Sequence, residues 1–167
     1  MAITLNGTTG ITTPASTVGG SAVLTTASTI ATSALPAGSV LQVVSAALSG
    51  NNTTTSATFV TTNQFATITP TRNTSKIFII VNASGHFNNN DVHYTIYRGA
   101  TNLGGGTQSS MLVNNANDWG TVAMNYLDSP ATISPTTYTV YFKTSGGTAY
   151  FNTVSTSGSI TLMEIAG

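Results

Sequence analysis

The chain has 167 residues, no net charge, four basic and four acidic side chains and no cysteine. That length suits one compact domain of roughly 100–150 residues plus an arm. The composition excludes a basic patch for a run of phosphates, a zinc-type cysteine cluster and a disulfide framework. Charged residues are 5% of the total, against roughly 25% in ordinary domains. Thr, Ser and Asn, 66 of the 167 residues, must therefore cover the surface that Lys and Glu usually cover.

Strong helix formers other than Ala and Leu are scarce, whereas Thr, Val, Ile, Tyr and Phe are abundant and punctuated by Gly and Asn. This is strand-and-turn chemistry and predicts an all-β protein. The opening residues lack a basic region followed by an apolar run, so no signal peptide is expected. The longest apolar-rich stretch, 40–48, is interrupted by Gln42 and Ser45. It falls short of the ~20 residues of a spanning helix, so no membrane insertion is expected.

Residues 1–71 contain no Asp, Glu, Lys, Arg or His, and the first aromatic is Phe59. Ile3, Leu5, Ile11, Val18, Val23, Leu24, Ile30 and Leu35 recur through the early part as apolar anchors. Such a stretch is either a flexible linker or an arm that orders against sister subunits or a larger assembly, and the anchors favour the arm. Asn6-Gly7 within 3–11 signals a hairpin too small to stand alone. Residues 22–35 fit a short Ala-rich helix or an extended shaft equally well. Leu35-Pro36-Ala37-Gly38 reads as a turn, which divides the chain into an arm, 1–38, and a β domain, 39–167.

Strand-like runs then follow at close spacing: 40–48, 57–60, 65–69, 76–81, 92–98, 119–127, 138–143, 149–154 and 160–165. Val92, Tyr94 and Ile96 share one face of their strand, as do Val122, Met124 and Tyr126 of theirs. Eight or nine short strands without cysteine suggest a jelly-roll-like β-sandwich. The runs at 76–81 and 138–143 are apolar on both faces, although a two-sheet sandwich has one internal face per sheet. A further covered surface is therefore expected, most simply in a trimer or other oligomer.

The opening run Met1-Ala2-Ile3-Thr4-Leu5-Asn6-Gly7-Thr8-Thr9-Gly10-Ile11-Thr12-Thr13-Pro14 resembles the starts of small virion fibre proteins of tailed phages, particularly marine and cyanobacterial ones. The stretch from Met124-Asn125-Tyr126-Leu127-Asp128-Ser129-Pro130-Ala131-Thr132 through Tyr138 to Ser159-Ile160-Thr161-Leu162-Met163-Glu164-Ile165 is similar to their C-terminal domain. Ile68-Thr69-Pro70-Thr71 before Ser75-Lys76-Ile77 also fits that pattern, whereas residues 84–118 carry none of it. The resemblance implies a trimeric structural protein of the virion, and with no signal peptide expected, synthesis in the host cytoplasm is expected. Its N-terminal part would dock on other virion proteins, with an outward β domain similar to tumour-necrosis-factor-like knobs. The alternative is a capsid decoration or head-fibre protein that stabilises the shell without binding a receptor.

Catalysis is not expected. Asp91, Asp118, Asp128 and Glu164 are the only carboxylates, and a glycosidase needs two across one cleft. Asp128-Ser129-Pro130 reads as a turn whose carboxylate accepts backbone hydrogen bonds, and Glu164 is expected to pair with Arg72, Lys76, Arg98 or Lys143. Within residues 86–93, His86, Asp91 and His93 could ligate a transition metal, or the Asn-rich tip Ca²⁺. A polar loop tip explains the same residues, so no cofactor is assigned.

Host-surface contact, with a glycan as the candidate ligand, is the livelier expectation. Asn114, Asn115, Asn117 and Asp118 place amides and a carboxylate beside the only tryptophan, Trp119. A ring for stacking and amides for hydroxyls suit a sugar, but Trp buries well and is more often core, so a tryptophan capping the sheet is the favoured reading of that ring. The loop carrying Phe87, Asn88, Asn89 and Asn90 is the second contact candidate.

Overall fold

The computed structural model describes residues 17–18, 21–22, 34–87, 90–105, 108, 110–114, 118–153 and 158–167. Two compact units divide the chain, residues 1–34 and 35–167. In the first, β1 (Thr17–Val18) and β2 (Ser21–Ala22) pair antiparallel, Thr17 opposite Ala22. The expected hairpin at 3–11 lies outside the described residues, as does most of 22–35.

The second unit is two antiparallel sheets, with no α-helix among its described residues. The larger contains β3 (Val40–Leu48), β4 (Asn52–Thr54), β6 (Lys76–Phe87), β10 (Asp118–Asp128), β12 (Ala149–Phe151) and β13 (Gly158–Ile165). Its spine is β6. One edge of β6 pairs with β10 along its length, and the other is shared by β13 and β12. Beyond them, β3 extends from β13 and β4 from β12. The smaller sheet runs β5 (Val60–Ile68), β11 (Thr136–Thr144), β7 (Val92–Arg98). Two short strands, β8 (Thr101–Asn102) and β9 (Leu112–Asn114), take opposite ends of the remaining edge of β7.

Alternation places the core between the sheets. Ile77, Ile79 and Val81 of β6, with Ile160 and Leu162 of β13, meet Val92, Tyr94 and Ile96 of β7 and Tyr138, Val140 and Phe142 of β11. Burying each such side chain contributes ~1.5–3 kcal/mol. Val122 and Met124 join this core as expected, but Tyr126, on the same face, lies more than a third exposed near the strand's end.

The runs 57–60 and 65–69 are not two strands. Ala57 to Phe59 lie outside the ladder, and β5 is one strand from Val60. Asn63 adopts a positive φ of 56°, and the register with β11 shifts there. This bulge absorbs the polar residues that look like a break in the sequence. Within it the Thr62 hydroxyl donates to the Val140 carbonyl at 2.8 Å. The turn at 35–38 forms as expected. Gly38 (φ 87°) donates to the Ala166 carbonyl at 2.7 Å, and Ala166 donates back to Ser39 at 2.8 Å.

Two carboxylates differ from expectation. Glu164 makes no ion pair; it is fully buried and its acceptors are filled by neutral donors. These are Gln42 Nε2 at 2.6 Å, Ser75 Oγ at 2.7 Å, the Thr71 amide and hydroxyl at 2.7 and 2.9 Å, and the Arg72 backbone amide at 3.4 Å. Polar residues of 69–75 curl over the end of β13 and supply hydrogens where no cation reaches. Asp128 is not a turn acceptor, because β10 continues through it. Both of its oxygens lie 2.8 Å from Arg98 Nη1, and Oδ2 accepts from the Tyr138 hydroxyl at 2.7 Å.

Candidate functional site

In an antiparallel ladder, directly opposed residues share a face. The outer face of the larger sheet therefore carries the row Thr53, Tyr150, His86 and Trp119 across β4, β12, β6 and β10. Trp119 does not cap the core: it is 57% exposed. Position 119 falls on the outward phase of β10, opposite to that of the buried Val122 and Met124. Its ring lies 4.5 Å from that of His86 and 6.1 Å from that of Tyr150, with 5.5 Å between the latter two. His86 Nδ1 is buried without a hydrogen-bond partner.

Gly85 secures this row from inside. A Cβ there would stand 2.8 Å from the Tyr94 hydroxyl and 2.9 Å from Val122. In the space left, that hydroxyl donates to the Tyr150 carbonyl at 2.8 Å, holding β12 where its ring meets His86. Tyr94 itself is fully buried, and burial pushes its phenol well above the ordinary range.

The remaining described contact candidates are divided between the two sheets, with Asn90 between β6 and β7. Asp118 is exposed, and its Oδ1 accepts from the Trp119 amide at 2.7 Å. The backbone of Phe87 pairs with Asp118, and that of Asn114 with Val92. Asn90 borders Gly146, whose Cβ position lies 2.8 Å from the Asn90 Oδ1. Asn88, Asn89, Asn115 and Asn117 lie outside the described residues.

The metal candidates are not gathered. His86 is on the larger sheet and His93 on the smaller. Among the described residues no group of three His, Cys, Asp or Glu could hold an ion. Asp91 and His93 instead border a cleft on the outer side of the smaller sheet, which the sequence did not reveal. One lobe, of about 340 Å³, is lined by Ala57, Asp91, His93, Gln108, Lys143, Thr144 and Ser145. The adjoining lobe, of about 460 Å³, shares Ala57, Gln108 and Lys143 and adds Thr58, Phe59, Tyr97 and Asn102.

Register explains this gathering. Lys143 faces His93, and Tyr141 faces Thr95, across β11 and β7, so their side chains point outward together. Tyr97 stacks on Tyr141 with ring centroids 4.0 Å apart, and Lys143 Nζ sits 4.6 Å above the Phe59 ring. Burial and then the Lys143 ammonium hold the His93 imidazole below its ordinary value, against a smaller opposing pull from Asp91. His93 Nδ1 lies 3.2 Å from Ser110 Oγ. The wall is tied by reciprocal bonds: the Asp91 amide donates to Ser145 Oγ at 3.0 Å and the Ser145 amide to the Asp91 carbonyl at 2.9 Å. The outward phase of Tyr97, Tyr141 and Lys143 was the signal available in the sequence. What it lacked was the placement of 57–59 and 108 against them.

No protein-family model matches the chain, and no curated protein matches it.

Proposed function

We propose that this chain is a structural protein of a phage virion. It is a homotrimeric fibre or knob, docked by residues 1–38 on other virion proteins and presenting residues 39–167 for host-surface attachment. Its role is binding without catalysis. The observation that carries this reading is a second apolar surface on the outer face of the larger sheet. There Val43, Met163, Phe78 and Leu127 lie side by side across four strands, with Val43 56% and Leu127 49% exposed. Uncharged rows of this kind suit burial against sister subunits.

The finer fold we propose is a jelly roll. Its support is the strand order β3-β13-β6-β10 in one sheet and β5-β11-β7-β9 in the other, which interleaves early and late strands as two Greek keys do. The virion setting is supported by the resemblance of the chain's opening and closing stretches to small phage fibre proteins. Exposed Trp119, flanked by His86, Tyr150 and Asp118, supports attachment.

Light scattering on the full chain and on residues 39–167 tests the proposal. Trimer mass is expected for both. A monomeric short form would overturn the self-assembling knob in favour of a decoration protein ordered by the shell.

A further inference from the structure

The cleft on the smaller sheet has no part in the trimer surface or the Trp119 row, and its chemistry is specific. We propose that it binds a saccharide bearing a carboxylate, with two adjoining sugar units in its two lobes and the carboxylate on Lys143. The lobes, about 340 and 460 Å³, fall within the ~300–1,000 Å³ of small-molecule sites. Tyr97 and Phe59 provide ring surface at the second lobe, and Gln108 and the Ser145 hydroxyl provide hydrogen-bonding groups at the first. Rings together with amides and hydroxyls match a sugar's apolar face and its ring of hydroxyls.

Charge selects the acidic member of that class. Arg98 is engaged by Asp128, and Arg72 Nη2 donates to the Leu35 carbonyl at 3.2 Å. Lys76 belongs to the larger sheet. Among the described residues, Lys143 is thus the cation offered to a concave surface, and it forms no ion pair there. Asp91 lines the same lobe with the opposite sign, yet the Lys143 ammonium acts more strongly on His93 than Asp91 does. Burial, the larger cause, acts in the same direction as Lys143, and together they hold the His93 imidazole below its ordinary value. The hydrogen bonds between Asp91 and Ser145 fix the wall before a ligand arrives, which reduces the ordering cost of binding.

This site deepens the attachment reading by supplying a ligand class, but binding is measured on the soluble full chain and does not depend on that reading. Isothermal titration would compare glucuronic acid, a hyaluronan tetrasaccharide and chitotetraose in its fully N-acetylated, uncharged form. The tetrasaccharide should bind tightest, the monosaccharide more weakly because it fills one lobe, and chitotetraose roughly tenfold more weakly than the charged tetrasaccharide. Lys143→Met, which keeps most of the apolar stem, should lose roughly tenfold in affinity for the acidic ligand and little for the neutral one. Asp91→Asn should tighten acidic binding, and circular dichroism should show both variants folded. Equal affinity for charged and neutral tetrasaccharides, an unaffected Lys143→Met variant, or no binding by the parent chain would overturn the proposal. Retained saccharide binding by a protein that fails to adhere to cells would instead break the attachment reading alone.

Discussion

Glu164 and Asp128 are both buried in a protein with almost no charge to spare, and their surroundings solve the same problem differently. Around Glu164, on the larger sheet, five donors from Gln42, Thr71, Arg72 and Ser75 converge on one carboxylate, and every one is neutral. Around Asp128 an arginine from β7 and a tyrosine from β11 reach across to the end of β10, joining the two sheets through an ion pair and a phenol. A chain rich in Ser and Thr can hold a buried anion without a cation, provided its backbone curls to deliver the hydrogens.

That contrast breaks most readily at Glu164. Glu164→Ala removes the acceptor shared by all those donors and leaves a small cavity, at a cost of about 3–5 kcal/mol. A thermal scan should show the midpoint falling by roughly 10 °C. The acid limb sharpens it. Burial pushes the Glu164 carboxyl up, and the bonds from Ser75, Gln42 and Thr71 outweigh it, so its pKa lies below the ordinary 4.5. The stability this provides is present above the unfolded value and is lost as pH falls through the folded one. Urea midpoints from pH 7 to pH 2 should fall steeply below about 4.5, and Glu164→Gln should flatten that fall.

The Asp128 cluster should respond less, and at the other end of the pH scale. The Arg98 side chain is 31% exposed, so water can rehydrate it when its partner is lost. Asp128→Asn should therefore cost about 1–3 kcal/mol in denaturant unfolding. Burial, together with the bond to Asp128, raises the Tyr138 phenol above the ordinary 10.0. Its contribution is complete below that value and is lost as pH rises and the unfolded chain ionises first. Tyr138→Phe should cost about 1 kcal/mol at neutral pH and remove part of the alkaline loss. Tyr94, raised for the same reason, keeps the rest.

Strand existence was legible because alternation and β-branched content survive burial on one face. The runs 40–48 and 92–98 coincide with β3 and β7 to the residue. The strands that escaped notice, β1, β2, β4, β8 and β9, have two or three residues each, too few to show a period. The break assigned before Phe65 was a bulge, since Asn63 in the left-handed region looks like a turn in sequence and behaves as a kink in a ladder. Carboxylate partners were illegible for a different reason. Charge pairing was expected, and nothing in the order of residues says that 69–75 would fold over Glu164. Likewise, Lys143 and Phe59 meet only after the smaller sheet is assembled.

The smallest stability effect bears most directly on function. A buried tryptophan truncated to alanine costs about 3–5 kcal/mol. Trp119, more than half exposed, should lose only its ring contacts with His86 and Tyr150, about 1 kcal/mol. Denaturant unfolding of Trp119→Ala should therefore barely move relative to Glu164→Ala. In parallel, adsorption of the variant to host cells should fall by an order of magnitude or more. A large destabilisation would return the indole to a structural role, and unchanged adsorption would shift attachment away from the larger sheet. An outward aromatic that contributes little to the fold of one chain is explained by what it meets outside that chain, and these two readouts together separate packing against a sister subunit from contact with the host surface.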